Sequence, residues 1–184
     1  MPLSNKLQEL VDRISRQREK LLQSVSGLSE AQLNHKAEET AWSVGDVVNH
    51  VALADEASVK LTSILLKRAR ENKLPPDLSP EASQIHAIDE ILPRLNAAKF
   101  RAPEFVAPHS QVPVDESLKR LESSRQRVLA NVEDLGEYDL SALTHPHPAA
   151  GELNAYQWIL MAGFHESRHA DQINRMKSHP GFPE

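Results

Sequence analysis

Two histidines, His165 and His169, lie four residues apart in this chain. In an α-helix, residues i and i+4 lie one turn apart on the same face. Two imidazole rings arranged in this way can bind one divalent cation at metal–nitrogen distances near ~2.1 Å. The preceding stretch, 158–164, is apolar on every side, which is typical of a buried helix rather than a solvated one. The pair therefore predicts a metal site and leaves open which residue supplies a third ligand.

His50 is the candidate third ligand because it shares the apolar face of another predicted helix with Val47, Val51 and Ala54. It lies about 10 Å along that helix, and His169 lies roughly 14 Å before the end of the last helix, at a rise of ~1.5 Å per residue. If the two helices are antiparallel, these depths nearly match. Three histidines with an open coordination position are typical of a reactive metal site. The alternative is that His50 is an ordinary core residue and that the spacing of His165 and His169 is a coincidence without metal binding.

The motif His-Glu-x-x-His, in which the glutamate is Glu166, also matches the metal-binding helix of zinc proteases, where the glutamate is the general base. The extended protease motif requires glycine and histidine where this chain has Gln172 and Arg175. We therefore rank a protease lower. Glu166 is kept as a candidate catalytic proton carrier, and the alternative is a helix carboxylate paired with a nearby cation.

Four further residues are candidates for the rim of the site or for substrate contact. Arg168 and Gln172 can orient ligands or bind substrate, with helix packing as the alternative. Trp158 can line the cavity, with a plain core position as the alternative. His147 can rim the pocket, or belong to a proline-stiffened loop without chemistry. The other histidines of the chain that we interpret as surface residues are His35, His86, His109 and His179.

The composition limits the classes of function. The chain has 184 residues, of which 40% are hydrophobic, and this predicts one domain over 1–184 with a real core. There are no cysteines, so any metal must be held by nitrogen and oxygen, and a cysteine nucleophile is excluded. The net charge of −5 argues against nucleic acid as a partner. No apolar run reaches the ~20 residues of a membrane span, and the first residues lead directly into an amphipathic helix, so we expect a cytoplasmic protein.

Helical periodicity dominates the sequence and predicts an all-α protein. The first helix spans about 5–26, and the second runs from the N-cap Ser43 to about Asn72. The third spans about 115–135, and the fourth about 155–178. We see no convincing strand, because β-branched alternation is absent and aromatic residues make up only 4% of the chain.

The segment 73–113 contains seven prolines, which indicates a long crossover between the second and third helices. Within it, Ser79 and Pro80 predict the start of a short helix that Pro93 ends or kinks. A connection of this length lets the third helix run parallel to the second. We therefore expect a four-helix bundle in up-down-down-up order.

Several segments resemble the DinB/YfiT-like superfamily, especially its DinB_2-type members. The matching segments span nearly the whole chain in the order and spacing of that family: 42–52 (Trp-Ser-Val-Gly-Asp-Val-Val-Asn-His-Val-Ala), the weaker 100–104 (Phe-Arg-Ala-Pro-Glu), 147–154 (His-Pro-x-x-Gly-x-Leu-Asn) and 165–173 (His-Glu-x-x-His-x-x-Gln-Ile).

This resemblance implies a four-helix bundle of the predicted order. It also implies a divalent metal, zinc or nickel, bound by His50, His165 and His169. The family includes metal-dependent thiol S-transferases, proteins described as metal-dependent hydrolases, and many members without known activity. Its members are often dimers, so a homodimer is expected.

Our first hypothesis is a metal-dependent thiol S-transferase that acts on small electrophiles. A metal-bound low-molecular-weight thiol would have a lowered pKa and would be a thiolate nucleophile at neutral pH. Because the chain has no cysteine, the sulfur must come from a cosubstrate. The second hypothesis is a metal-dependent hydrolase that uses metal-bound water, which ionises near pH ~7. The third is a non-catalytic helical protein in which the histidines bind metal structurally or not at all.

Overall fold

The computed structural model describes residues 4–76, 83–97, 101–108 and 112–184. Helices dominate the described residues, together with one small sheet and 3₁₀ turns at Ala87–Glu90 and Glu104–Val106. In chain order the elements are α1 (Asn5–Val25), α2 (Glu30–Asn34), α3 (Val44–Glu71), α4 (Ser83–His86), α5 (Leu92–Ala97), α6 (Val114–Leu135), β1 (Thr144–His147), β2 (Gly151–Asn154) and α7 (Ala155–Lys177).

The long helices α1, α3 and α7 begin at side chains that cap free backbone N–H groups. The Ser4 hydroxyl accepts a hydrogen bond from the backbone of the first turn of α1. At the start of α3, Ser43 and Asp46 form a reciprocal capping box, and Asn154 and Gln157 form another at the start of α7. Such caps satisfy donors that the helix itself leaves unpaired. The four predicted helices are confirmed to within one or two residues at each end.

Side-chain hydrogen bonds show that α3 and α6 run parallel. Asn49 donates to the Ser117 hydroxyl at 3.2 Å, and Asn131 donates to the Ser63 hydroxyl at 3.2 Å. Both pairs have the same sequence separation of 68 residues, so the two helices advance together.

The first and last helices are parallel to each other as well. The Lys20 ammonium donates to the Ser167 hydroxyl at 3.1 Å, and farther along both helices Lys177 donates to the Ser24 carbonyl at 3.1 Å. Leu21 near the end of α1 shares an apolar cluster with Val44 at the start of α3, so the two parallel pairs run in opposite directions. The result is the up-down-down-up four-helix bundle that the sequence predicts. None of the described helices is long and apolar enough to cross a membrane.

The crossover between α3 and α6 contains short helical pieces. The predicted helix start at Ser79 and Pro80 lies outside the described residues. The predicted break at Pro93 is present, because the helical turns of 83–90 end just before it and Pro93 itself lies in the first turn of a separate helix, α5. A proline is tolerated there, since the first backbone N–H groups of a helix have no intrahelical acceptor. Of the segment 100–104, residue 100 is outside the described part of the chain.

The expectation of no strand is also wrong. Strands β1 and β2 pair antiparallel, with Thr144 opposite Asn154 and His147 opposite Gly151. Each strand has four residues, too few to show alternation, and Thr144 is the one β-branched residue in them. A hairpin this small is marginal alone and needs packing against other elements. The fully buried Leu153 supplies that packing, and Gly151, with φ +79°, closes the turn.

Four charged residues, which we call the charge layer, lie in the interior between two apolar clusters: Arg18, Asp55, Arg125 and Glu166. On α1, for example, Arg18 follows Ile14 of one cluster and precedes Leu21 of the other. The second cluster packs the beginning of α3 against the end of α7, and these are the turns that carry the predicted metal ligands.

Candidate metal centre

Three histidines converge at the end of the bundle where α3 begins and α7 ends. The Nε2 atom of His165 lies 3.2 Å from Nε2 of His50 and 3.1 Å from Nε2 of His169. One ligand atom from each histidine lies within 4.8 Å of the others. His50 is in the second turn of α3, whereas the other two are one turn apart on α7. The antiparallel packing of these helices therefore brings together residues more than a hundred positions apart.

Hydrogen bonds to the outer ring nitrogens set the tautomers of two of the rings. His50 donates its Nδ1 proton to the carbonyl oxygen of Val106 at 2.7 Å. His169 donates its Nδ1 proton to Oε1 of Gln172 at 2.8 Å. A neutral imidazole carries one proton, so Nε2 of both rings has a free lone pair. Both lone pairs are on the nitrogens that approach His165.

This geometry fits a divalent cation. For metal–nitrogen bonds of ~2.1 Å, nitrogen separations of 3.1 and 3.2 Å correspond to angles of about 95° and 100° at the metal. These values lie between octahedral and tetrahedral angles. Imidazole nitrogen is a donor that zinc, nickel, copper and iron accept well. The three histidines are therefore a group that can hold a divalent metal ion and leave coordination positions for another molecule.

Burial keeps these rings neutral, and a neutral ring is what a metal ligand requires. His50 and His169 are buried, at 4% and 8% exposure. Burial lowers the pKa of His50 from its usual 6.5 and lowers that of His169 to about 4, with a further contribution from the His50 charge. Burial, followed by the charges of His169 and His50, holds the pKa of His165 well below 6.5. At neutral pH, metal binding therefore does not require a charged imidazolium to lose its extra proton.

His165 differs from the other two in its outer nitrogen. Its Nδ1 atom is buried and has no hydrogen-bond partner among the described residues. Contacts with the neighbouring rings position it instead, with ring centroids 4.4 Å from His169 and 5.0 Å from His50.

Two partners of His50 were not found by sequence reasoning. The carbonyl of Val106 comes from the crossover, and a backbone acceptor carries no residue-type signal. The Trp42 ring packs on His50 with ring centroids 5.0 Å apart. The signal for Trp42 was its place directly before the cap of α3, eight positions from His50, where its side chain can reach the same end of the helix.

Glu166, the candidate proton carrier, lies on a different face of α7 from its neighbour His165 and belongs to the charge layer. Its carboxylate accepts from Arg18 Nε at 2.7 Å and from Arg125 Nη2 at 3.1 Å, and the residue is 1% exposed. Arg18 also donates to Asp55 Oδ2 at 2.6 Å. Both oxygens of Glu166 are thus held by guanidinium groups, the arrangement of a helix carboxylate paired with cations.

Sequence reasoning missed the other three members of the charge layer, although a signal was present. Arg18 occupies the turn between Ile14 and Leu21 on the apolar face of α1, where a hydrophobic residue is expected. Burial of a charge in such a stripe requires a partner of opposite charge. Asp55 on α3 and Arg125 on α6 supply the rest of the layer.

Of the predicted rim residues, Gln172 contacts the three-histidine group through its hydrogen bond to His169. Arg168 donates a hydrogen bond to the carbonyl of Leu95 on α5 and so ties α7 to the crossover. The positive charge of Arg168 contributes to the lowered pKa of both His165 and His169.

Trp158 and His147 belong to the hairpin side of α7. Trp158 donates to the His145 carbonyl at 3.0 Å, and its ring centroid lies 5.1 Å from that of His147. The Nδ1 atom of His147 accepts from two backbone N–H groups of the turn, those of Ala149 and Ala150. Among the described residues, no hydrogen bond or ring contact joins Trp158 or His147 to the three-histidine group.

Three of the histidines interpreted as surface residues can be compared with the structure, and the fourth, His109, lies outside the described residues. His86 and His179 are exposed. His35 is not a surface residue, because it is half-buried against the edge of Phe182, with ring centroids 5.5 Å apart. Its Nε2 atom is buried and has no hydrogen-bond partner in the described part of the chain.

Two curated proteins resemble this chain over most of its length. The uncharacterized protein YuaE of Bacillus subtilis (strain 168) is 29% identical over 154 residues, which cover 83% of this chain and 88% of YuaE. A protein of Geobacillus kaustophilus (strain HTA426), named "putative metal-dependent hydrolase", is 25% identical over 159 residues, which cover 86% of this chain and 77% of that protein.

A solved structure and a family comparison agree with the fold. The crystal structure of TT2238, described as a four-helix bundle protein, superposes with a TM-score of 0.59 at 24% identity and covers 92% of this chain and 98% of its own. The sequence model of the DinB superfamily matches residues 13–173, a range that includes all three converging histidines. The chain belongs to the DinB superfamily.

Proposed function

We propose that this protein is a divalent-metal-dependent enzyme that transfers a low-molecular-weight thiol to a small electrophile. The observation that carries the proposal is the convergence of the Nε2 atoms of His50, His165 and His169 at separations of 3.1 and 3.2 Å. Zinc and nickel are the proposed ions, because three neutral imidazoles without thiolate or carboxylate suit both.

The bound metal would supply one chemical effect, a lowered pKa of a coordinated thiol, so that the sulfur is a thiolate at neutral pH. The remaining steps require little from side chains. The thiolate sulfur forms a bond to the electrophilic carbon, the leaving group departs with its bonding electron pair, and the thiol proton goes to solvent. Transfer of this kind needs no strong general base, which suits a site where the neighbouring Glu166 is occupied by two arginines.

A second candidate is a metal-dependent hydrolase, and the name of the Geobacillus relative supports it. In that case the ion would activate water for attack on an ester or amide bond. Hydrolysis requires proton transfer to the leaving group. Among the described residues, no carboxylate lies with the three histidines in a group that could hold the metal. For this reason we place hydrolysis second.

The test compares both reactions on the same zinc-loaded and nickel-loaded protein. Conjugation of 1-chloro-2,4-dinitrobenzene is followed by absorbance with a panel of small thiols, and hydrolysis of p-nitrophenyl acetate is followed without thiol. We expect thiol-dependent conjugation above the uncatalysed rate that disappears in His50→Ala. The matched control is His86→Ala, which removes an exposed imidazole paired with Glu9, away from the site, and should leave the rate unchanged.

Each other outcome contradicts the first proposal. Thiol-independent hydrolysis that requires His50 would select the hydrolase. If neither reaction exceeds the His50→Ala background although the protein binds one equivalent of metal, the site is non-catalytic. If the protein binds no divalent metal with measurable affinity, both enzymatic proposals fail together.

A further inference from the structure

A cleft of about 320 Å³ lies beside the three-histidine group. One side is the segment that connects α2 to α3, and the other is the last part of α7 with the residues that follow it. Two lining residues also contact the metal-site histidines: Trp42 packs on His50, and Gln172 accepts the hydrogen bond of His169. The cleft is within the usual size range of small-molecule sites, roughly 300–1,000 Å³.

Several polar groups of the residues that line this cleft can donate hydrogen bonds. Arg175 lines the cleft and pairs with no carboxylate of the described residues. Because Gln172 uses its oxygen for His169, its amide NH₂ remains available to a ligand. His179 accepts at Nδ1 from Gly181, which places its proton on Nε2. The buried Nε2 atom of His35 has no partner among the described residues.

The apolar lining is formed by Trp42, Met176 and two alanines, Ala37 and Ala41. None of the described residues that line the cleft is acidic, although the chain as a whole has a net charge of −5. A cluster of donors without carboxylates, on a chain of this charge, is electrostatically suited to an anion. The aromatic and aliphatic wall is suited to a short apolar body.

We infer that this cleft binds the carboxylate end of a small organic substrate and so places the rest of that molecule beside the metal centre. Arg175 and the Gln172 amide would hold the carboxylate, and Trp42 would pack against the carbon skeleton. The inference rests on the proposed function, because it names the substrate class of that site: a small carboxylic acid. A free carboxylate is favoured over a larger phosphorylated ligand because the cleft contains one arginine and no lysine.

Binding is measured first without thiol chemistry and without metal. The probes are N-acetyl-S-methylcysteine and its neutral amide, which differ in the carboxylate alone, titrated into the full-length metal-free protein. Nuclear magnetic resonance follows the indole N–H of Trp42 and the side-chain amide of Gln172. We expect the acid to bind about tenfold more tightly than the amide, the size expected for one charge-assisted hydrogen bond.

Arg175→Gln should abolish that preference, and Arg127→Gln is the matched control. Arg127 is likewise exposed and unpaired among the described residues, but it lies on α6 and does not line the cleft. Equal affinities for acid and amide, a preference that survives Arg175→Gln, or shifts that leave Trp42 and Gln172 unchanged would each overturn the inference.

The same pair of probes with a free thiol, N-acetylcysteine and its amide, is then compared in the conjugation assay of the metal-loaded protein. If the carboxylate preference is present but no thiol is transferred, the proposed function fails and the cleft remains a carboxylate site. If transfer occurs with equal KM for acid and amide, the proposed function stands and the inference about the cleft is wrong.

Discussion

The charge layer predicts that two similar substitutions change the stability of the protein by very different amounts. Each substitution replaces one buried carboxylate with the corresponding amide. The substitutions are Glu166→Gln and Asp55→Asn, and both side chains are almost completely buried. Glu166 accepts from two guanidinium groups, Arg18 at 2.7 Å and Arg125 at 3.1 Å. Asp55 accepts from Arg18 alone, and its Oδ1 atom has no partner among the described residues.

Glu166→Gln leaves two buried cations without their common counter-ion. Removal of one partner from a buried ion pair typically costs about 3–5 kcal/mol. At about 2–4 °C per kcal/mol for a chain of this size, the midpoint of thermal unfolding should fall by about 6–20 °C.

For Asp55 we expect a different effect of the substitution on the free energy of unfolding. Burial and the nearby Glu166 charge raise the pKa of Asp55 well above its usual 3.8. An acid whose pKa is raised on folding stabilises the native state at low pH, and this contribution is lost as pH rises through the raised pKa. At pH 7 the ionised form is therefore costly, and Asn removes that cost while its amide oxygen can still accept from Arg18. We expect Asp55→Asn to change the free energy of unfolding by less than about 1 kcal/mol.

The assays are thermal unfolding and urea unfolding at pH 7, both followed by circular dichroism, with the metal content of each purified variant measured in parallel. Glu166→Gln should keep the zinc stoichiometry of the wild type, because its carboxylate lies with the arginines rather than with the three histidines. The reasoning is refuted if the two substitutions destabilise equally, or if Glu166→Gln leaves the midpoint unchanged. Loss of metal from a folded Glu166→Gln variant would contradict the assignment of this carboxylate to the charge layer.

Two further predictions concern the histidines and their partners. In metal-free protein, a His169 pKa of about 4 against ~6.5 in the unfolded chain means that the unfolded state binds more protons below pH 6.5. Stability should therefore fall as pH drops from 6.5 to 4, by about 3 kcal/mol for this residue; a urea-unfolding series across that range that stays flat would be inconsistent with it. Gln172→Leu removes the acceptor for His169 Nδ1 and should weaken zinc binding by about 10–100-fold. Gln172→Glu keeps an acceptor, so this variant should bind zinc at least as tightly as the wild type. Zinc affinity is measured by competition with a chromogenic chelator. Equal affinities of the wild type and both variants would show that the Gln172 side chain does not support the metal ligand.

The helices were predictable because their signals are local. The capping box of Ser43 and Asp46 lies within four residues, and the apolar stripe of each helix repeats every three or four positions. The depth argument for His50 worked for the same reason, since an α-helix has a fixed rise per residue. For two antiparallel helices, the number of residues between a side chain and the helix end therefore gives its position along the bundle axis.

The features that sequence reasoning missed depend on contacts between distant segments. The strands at Thr144–His147 and Gly151–Asn154 exist because of pairing across a turn and packing of Leu153, and their own residues have little preference for β structure. The charge layer requires four helices to meet, and no single helix reveals where Arg18 finds its partners. The acceptor for His50 is a main-chain carbonyl, which every residue possesses.

That main-chain carbonyl has a consequence for the crossover. Val106 lies in the Glu104–Val106 turn, outside the four long helices, yet its oxygen fixes the ring of His50. The orientation of the His50 ring and the order of the turn are thermodynamically coupled. A ligand that stabilises the oriented ring must therefore stabilise the ordered turn by the same coupling free energy. Loading the ion should then slow amide exchange in 104–107, so the crossover would report occupancy of a centre to which it contributes no side-chain ligand.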